Sequence, residues 1–214
     1  ISILLFSLTI ASQEINTKLI NEFKLNADNF IGIDDFENIY FIKNNTLFKK
    51  SNGQLLSYSN TQLGNITSID ITNPLKILIF YKDFNTILLL DNNLNTLTKP
   101  INFTLENVSQ NISLVVNAPN NNIWLFSQDD TRLSLWNYQT RKVKFTTQPL
   151  ALNFKNFKAN FLISNYKTVW ISSNDIVIKL NEFGVILNSF TIEGINNFFY
   201  FNNNIIYQKN NKLY

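Results

Sequence analysis

The chain has 214 residues, of which 45% are hydrophobic, 14% aromatic and only 15% charged, with a formal net charge of +3. That length suits one domain with a sizeable core, and the composition excludes an intrinsically disordered chain. Cys and His are both absent, which excludes disulfides, thiolate chemistry, His-based zinc sites and Ser-His-Asp catalysis; the Lys residues are scattered rather than striped, against nucleic-acid binding.

In chain order, Ile1 to Ile10 is an apolar run of the length of a signal-peptide core, followed by Ala11 and polar Ser12-Gln13-Glu14. Residues 1–12 are therefore expected to be part of an export signal. The run is too short to span a bilayer, which needs about 20 apolar residues. Residues 13–214 are expected to form a single domain.

Beyond the leader, five segments repeat one pattern: a short apolar strand, a polar turn, an aromatic-rich second strand, and further strands. The second strands centre on Ile39, Ile77, Ile123, Val169 and Ile205. Those markers lie 38, 46, 46 and 36 residues apart, close to the period of about 40–45 of a propeller blade. Strands are expected at 30–33, 39–42, 46–50 and 54–59 in the first repeat, and at 66–71, 76–81, 86–90 and 96–103 in the second. The third is placed at 112–116, 122–126, 132–136 and 142–147; the fourth at 160–163, 169–172, 175–180 and 185–192. The fifth has 198–201, 205–208 and 212–214. Asn52-Gly53 is the strongest hairpin signal, because both residues tolerate the positive φ of a tight turn. Nothing sustains a 3.6-residue period, so almost no helix is expected.

The fifth repeat lacks a fourth strand. Leu19-Ile20-Asn21-Glu22-Phe23-Lys24-Leu25 matches the pattern of Ile186-Leu187-Asn188-Ser189-Phe190-Thr191-Ile192, the fourth strand of the preceding repeat. Residues 17–25 are therefore expected to pair with the C-terminal strands and close the ring, which removes exposed sheet edges. The fold class is all-β, a β-propeller of about five four-stranded blades.

The segment Asp34-Asp35-Phe36-Glu37-Asn38-Ile39-Tyr40, followed by Leu47 and Ser51-Asn52-Gly53-Gln54-Leu55, resembles blade repeats of exported bacterial propellers: the NHL-type, streptogramin-lyase-like and quinoprotein-like groups. The stretch from Thr67 to Phe84 is similar to uncharacterised exported propellers of Gram-negative bacteria. The resemblance implies a propeller fold and a periplasmic, secreted or outer-membrane-associated protein. It implies no activity, since propellers host unrelated functions.

Candidate site residues are few. Asp34, Asp35 and Glu37 read as a turn rather than a calcium loop, because the Asp-x-Asp-x-Asp-Gly spacing is missing. Asp34, Asp70, Asn117 and Asn165 read as one turn position repeated round the ring rather than as the paired acids of a glycosidase. Trp124 and Trp170 sit at matching second-strand positions and are expected between blades. The turn Tyr81-Lys82-Asp83-Phe84 and Trp136 are the candidate binding residues, since aromatic and charged groups at a loop tip on a rigid scaffold bind partners. No catalytic residue, metal site or cofactor is expected. The expected function is a non-enzymatic binding or scaffold module of the cell envelope, contacting protein or glycan. The alternative is an envelope hydrolase or lyase using carboxylates at the ring's central mouth.

Overall fold

A computed structural model describes residues 15, 17–18, 22–109, 111–165, 167–195, 198–201, 204–209 and 212–214. The chain is a five-bladed β-propeller. Blade 1 comprises β1 (Asn29–Ile33), β2 (Ile39–Lys43), β3 (Thr46–Ser51) and β4 (Gln54–Tyr58); blade 2 comprises β5 (Ser68–Asp70), β6 (Ile77–Tyr81), β7 (Thr86–Leu90) and β8 (Ile101–Asn102). Blade 3 holds β9 (Ile112–Ala118), β10 (Asn122–Ser127), β11 (Arg132–Asn137) and β12 (Lys142–Thr146); blade 4 holds β13 (Ala159–Ser164), β14 (Thr168–Ser173), β15 (Ile176–Asn181) and β16 (Ile186–Thr191). Blade 5 holds β17 (Phe198–Phe201), β18 (Asn204–Lys209) and β19 (Lys212–Leu213). Within each blade the strands are antiparallel meanders in sequence order.

Side-chain alternation along the second strands explains why the sheets stack radially. Successive residues of a strand face opposite sides. Ile77, Ile79 and Tyr81 of β6 therefore pack on Tyr40 and Leu47 of blade 1. Leu78 and Phe80, between them, pack on Ile123, Leu125 and Trp136 of blade 3. The same rule sends Trp124 and Phe126 of β10 into the seam with blade 4, and Trp170 of β14 into the seam with blade 5 beside Phe198. Sheets that bury both faces read as near-continuous apolar runs, and every residue of β6 and β7 is buried.

The turns account for the abundance of Asn. Among the described residues, nine of the thirteen non-Gly positions with positive φ are Asn, the residue whose short polar side chain best tolerates the left-handed region after Gly. Asn44-Asn45 and Asn52-Gly53 both adopt it at consecutive positions, as two-residue hairpins of the right twist require. Among the described residues the helical content is confined to short 3-10 turns at Lys82–Phe84 and Leu150–Leu152.

The N-terminal segment meets blade 5, at a different residue from the one the repeat pattern indicated. Ile15 forms an antiparallel bridge with Leu213 of β19, and its N–H donates to the Leu213 carbonyl at 2.8 Å. Residues 17–18 and 22–27 carry no strand, and residues 19–21 of the expected closing segment lie outside the described residues. The apolar run 1–12 also lies outside them. No helix among the described residues is long and apolar enough to cross a membrane.

Candidate functional site

Antiparallel strands alternate the ends at which they connect. The connections β1–β2, β5–β6, β9–β10 and β13–β14 thus gather at one end of the ring. There they surround a cavity of about 1000 Å³ at the central mouth. All five blades line it: Ile33 and Asp34 from blade 1, Leu75 and Lys76 from blade 2, Asn117 from blade 3, Asn165 from blade 4, and Phe199 and Tyr200 from blade 5. A second cavity of about 340 Å³ opens where blades 3 and 4 meet, and shares Ala118, Pro119, Asn120 and Asn165 with the first.

Asp34 and Asp35 are the acidic residues that line the mouth; Asp35 is exposed, whereas Asp34 is occupied by the protein itself. Asp34 is buried, and its Oδ1 accepts the N–H groups of Phe36 and Asn38 at 3.0 and 2.9 Å. Its Oδ2 accepts Asn38 Nδ2 and the Tyr40 hydroxyl, both at 2.9 Å. Burial alone would raise this carboxyl, yet these hydrogen bonds outweigh it and hold the group below its ordinary range. Burial and the bond to Asp34 together raise Tyr40. The 34–38 segment is thus an Asx-type turn closing β1 onto β2.

Asp70 serves an arc of bonds that crosses blades. Its Oδ1 accepts the Thr72 N–H and hydroxyl at 2.8 and 2.7 Å, and its Oδ2 accepts the Asn117 N–H at 2.6 Å. Asn117 Nδ2 donates to the Lys76 carbonyl at 3.0 Å, and the Asn117 carbonyl accepts the Ser164 hydroxyl. Blades 2, 3 and 4 are tied round the mouth in this way. Lys76 is buried; its ammonium donates to the Ala118 carbonyl at 3.3 Å and lies 5.3 Å from the Tyr138 ring centroid. Burial lowers its pKa, and Asp70 offsets part of that effect. Asn117 Oδ1 is buried with no hydrogen-bond partner among the described residues.

The repeat equivalence drawn from the sequence needs correction. Asp34 and Asn165 do match: each N–H closes its turn, onto Asn38 and Thr168 respectively. Asn117, however, lies within the ladder opposite Ile123, and Asp70 lies opposite Leu78. The unequal lengths of the β5–β6 and β9–β10 connections shift Asn117 by one position and Asp70 by two.

The candidate binding residues divide into two groups, and none lines the mouth. Tyr81 and Trp136 are fully buried. Tyr81 ends β6 on the face toward blade 1, and burial raises its hydroxyl pKa, with a further push from Tyr58. Trp136 sits in the seam between blades 2 and 3, edge-on to Phe103 with ring centroids 5.6 Å apart. Lys82, Asp83 and Phe84 are exposed on the β6–β7 turn, at the opposite end from the mouth. Phe84 lies against Gly64, where a Cβ would meet its ring at 2.9 Å. Among the described residues no group of three or more acidic side chains gathers as for a metal ion. The mouth residues Lys76 and Tyr138 carry no motif that marks them. The available signal was a Lys heading an otherwise apolar strand just after Pro74-Leu75.

No protein-family model matches the chain, and no curated protein matches it. Solved structures do. A catalytically inactive variant of virginiamycin B lyase from Staphylococcus aureus, solved with quinupristin, aligns at a TM-score of 0.63 and 10% identity, over 91% of this chain and 69% of that one. The WD40 domain of Neurospora crassa Pan2 aligns at 0.52 and 11% identity, over 78% and 52%. PorZ, a surface component of the type-IX secretion system of Porphyromonas gingivalis, aligns at 0.51 and 11% identity, over 85% of this chain and 25% of that one. At these identities the likeness concerns architecture, and on that ground the chain stands with the β-propellers.

Proposed function

We propose that this protein is a non-enzymatic, exported binding module of the cell envelope, and that it contacts a protein or glycan partner through the mouth end of the ring. The observation that carries the reading is the state of Asp34, the buried carboxylate of the mouth, and of Asp70 next to its lining residue Ile71. Asp34 and Asp70 accept seven hydrogen bonds between them from the protein's own groups. A catalytic acid needs a raised pKa and a free proton to give, whereas Asp34 is held low.

Exposed apolar residues round the same opening support a contact surface: Ile33 at 55%, Leu75 at 69%, Leu97 at 50% and Phe199 at 52% exposure. Such clusters on a rigid scaffold mark interaction sites. Export is supported by the apolar leader and by the likeness to PorZ. A second reading, an envelope lyase or hydrolase, is favoured by the likeness to virginiamycin B lyase. Against it, a variant of that lyase with one His replaced by Ala is described as catalytically inactive, and these 214 residues contain no His.

Capture from a solubilised envelope fraction tests the reading. Leu75→Asp with Phe199→Asp should abolish capture, while Lys82→Glu with Phe84→Ser should leave it intact. The reverse pattern would move the contact to the β6–β7 turn. Hydrolysis or elimination of captured material, lost in Asp34→Asn or Asp70→Asn, would favour the enzyme.

A further inference from the structure

We infer that the mouth and the adjoining cavity form one path for a linear glycan, with an inner subsite at the ring centre and an outer subsite between blades 3 and 4. This inference rests on the binding-module reading. Its first support is continuity: the two cavities share the wall formed by Ala118, Pro119, Asn120 and Asn165. A compact ligand would fill one of them, whereas a chain of several units can occupy both.

The second support is the unspent hydrogen-bonding capacity of the lining. Asn73 and Asn165 use Oδ1 to cap their own turns, and among the described residues their Nδ2 groups donate to nothing. Their amides are therefore fixed in orientation with donors to spare. A hydroxyl accepts as well as donates, so a sugar bearing several of them can take these donors.

The third support is the shape of the lining. Lys76 is withdrawn beneath Tyr138, and the exposed charges are Asp35 in the inner cavity and Lys144 and Glu182 in the outer one. The exposed Phe199 of the inner cavity, and Phe183 at 67% exposure in the outer one, offer flat apolar faces of the kind that stack on sugar rings. Asn120 stands on the shared wall, exposed and at positive φ; its amide is placed to hold a chain passing from one subsite to the other.

Calorimetry with β-1,4-linked glucose and N-acetylglucosamine oligomers tests the path, using di-, tetra- and hexasaccharides. The tetrasaccharide of one series should bind at least about tenfold more tightly than its disaccharide, a gain equivalent to ~1.4 kcal/mol. Asn120→Gly keeps the backbone geometry, because Gly accepts φ > 0 without strain. It should retain the melting temperature but lose the gain with length. Equal affinity at every length, or an Asn120→Gly protein that keeps the gain, overturns the two-subsite path. Binding of extended peptides in place of both sugar series overturns the glycan assignment and leaves the binding module standing. So does capture of envelope material that neither series competes. If neither sugars nor envelope material bind, both readings fail.

Discussion

The seam between blades 2 and 3 and the junction between blades 5 and 1 are built on different principles. In the first, Phe80, Phe103, Trp136, Ile87, Leu89 and Ile123 are all fully buried in one cluster. At the second, blade 1 turns Phe30, Ile33 and Leu55 outward at 53%, 55% and 58% exposure, and blade 5 turns out Phe199 at 52%. Among the described residues each hydrophobic cluster joins neighbours in chain order, 1 to 2, 2 to 3, 3 to 4 and 4 to 5. The junction that completes the ring is marked instead by the backbone bridge from Ile15 to Leu213. Among the described residues, four seams thus show clusters of packed side chains, and the fifth shows the chain pairing of Ile15 with Leu213. Stability should be graded accordingly, with the lowest-energy openings beside the terminal blades.

Substitutions across this gradient sharpen the contrast. The largest effect is expected at the packed seam: Trp136→Ala should cost about 3–5 kcal/mol, read as a large fall in melting temperature on thermal or urea unfolding. Removing residues 13–18 takes away the Ile15 bridge and should cost about 2–3 kcal/mol, or roughly 4–12 °C for a domain of this size. In hydrogen exchange the loss of protection should be confined to blade 5 and β1. A truncated chain that melts at the same temperature would show that the bridge contributes nothing.

Asp34→Asn should cost about 1–2 kcal/mol at neutral pH. The sign of its pH dependence follows from the folded carboxyl lying below its unfolded value. The contribution is complete above the ordinary carboxylate range of about 4 and is lost as pH falls through that range and then through the folded pKa. The gap between wild type and variant should narrow on acidification; a gap that holds at low pH would mean Asp34 acts by shape alone. The smallest effect is expected at the open junction, where Leu55→Ser should change stability by no more than about 0.5 kcal/mol. A cost near that of Trp136→Ala would show the junction to be packed after all.

The strands were legible because the same two signals recur in every blade. Period-two alternation gives each second strand two apolar faces, and Asn or Asn-Gly supplies the φ > 0 turns between strands. Tyr81 illustrates a reading that stopped one step short. As the last residue of β6 it shares a face with Ile77 and Ile79, so alternation places it in the seam, while adjacency to Lys82-Asp83 suggested a loop tip. Ring closure was harder to locate, because a single bridging residue such as Ile15 leaves no periodic trace. The mouth was illegible for another reason. Its walls come from connections tens of residues apart, and Lys76, Asn117 and Tyr138 meet only once the blades are arranged about an axis.

The Asn52-Gly53 turn carries a chemical liability that the other hairpins avoid. Asn followed by Gly is the pair most prone to cyclise through the backbone and reopen as isoaspartate, which adds a carbon to the main chain and a negative charge. A two-residue loop between β3 and β4 has no slack to absorb that extra length, so ageing of the protein in storage should begin at the outer edge of blade 1 and leave the blade 2 to blade 4 body intact.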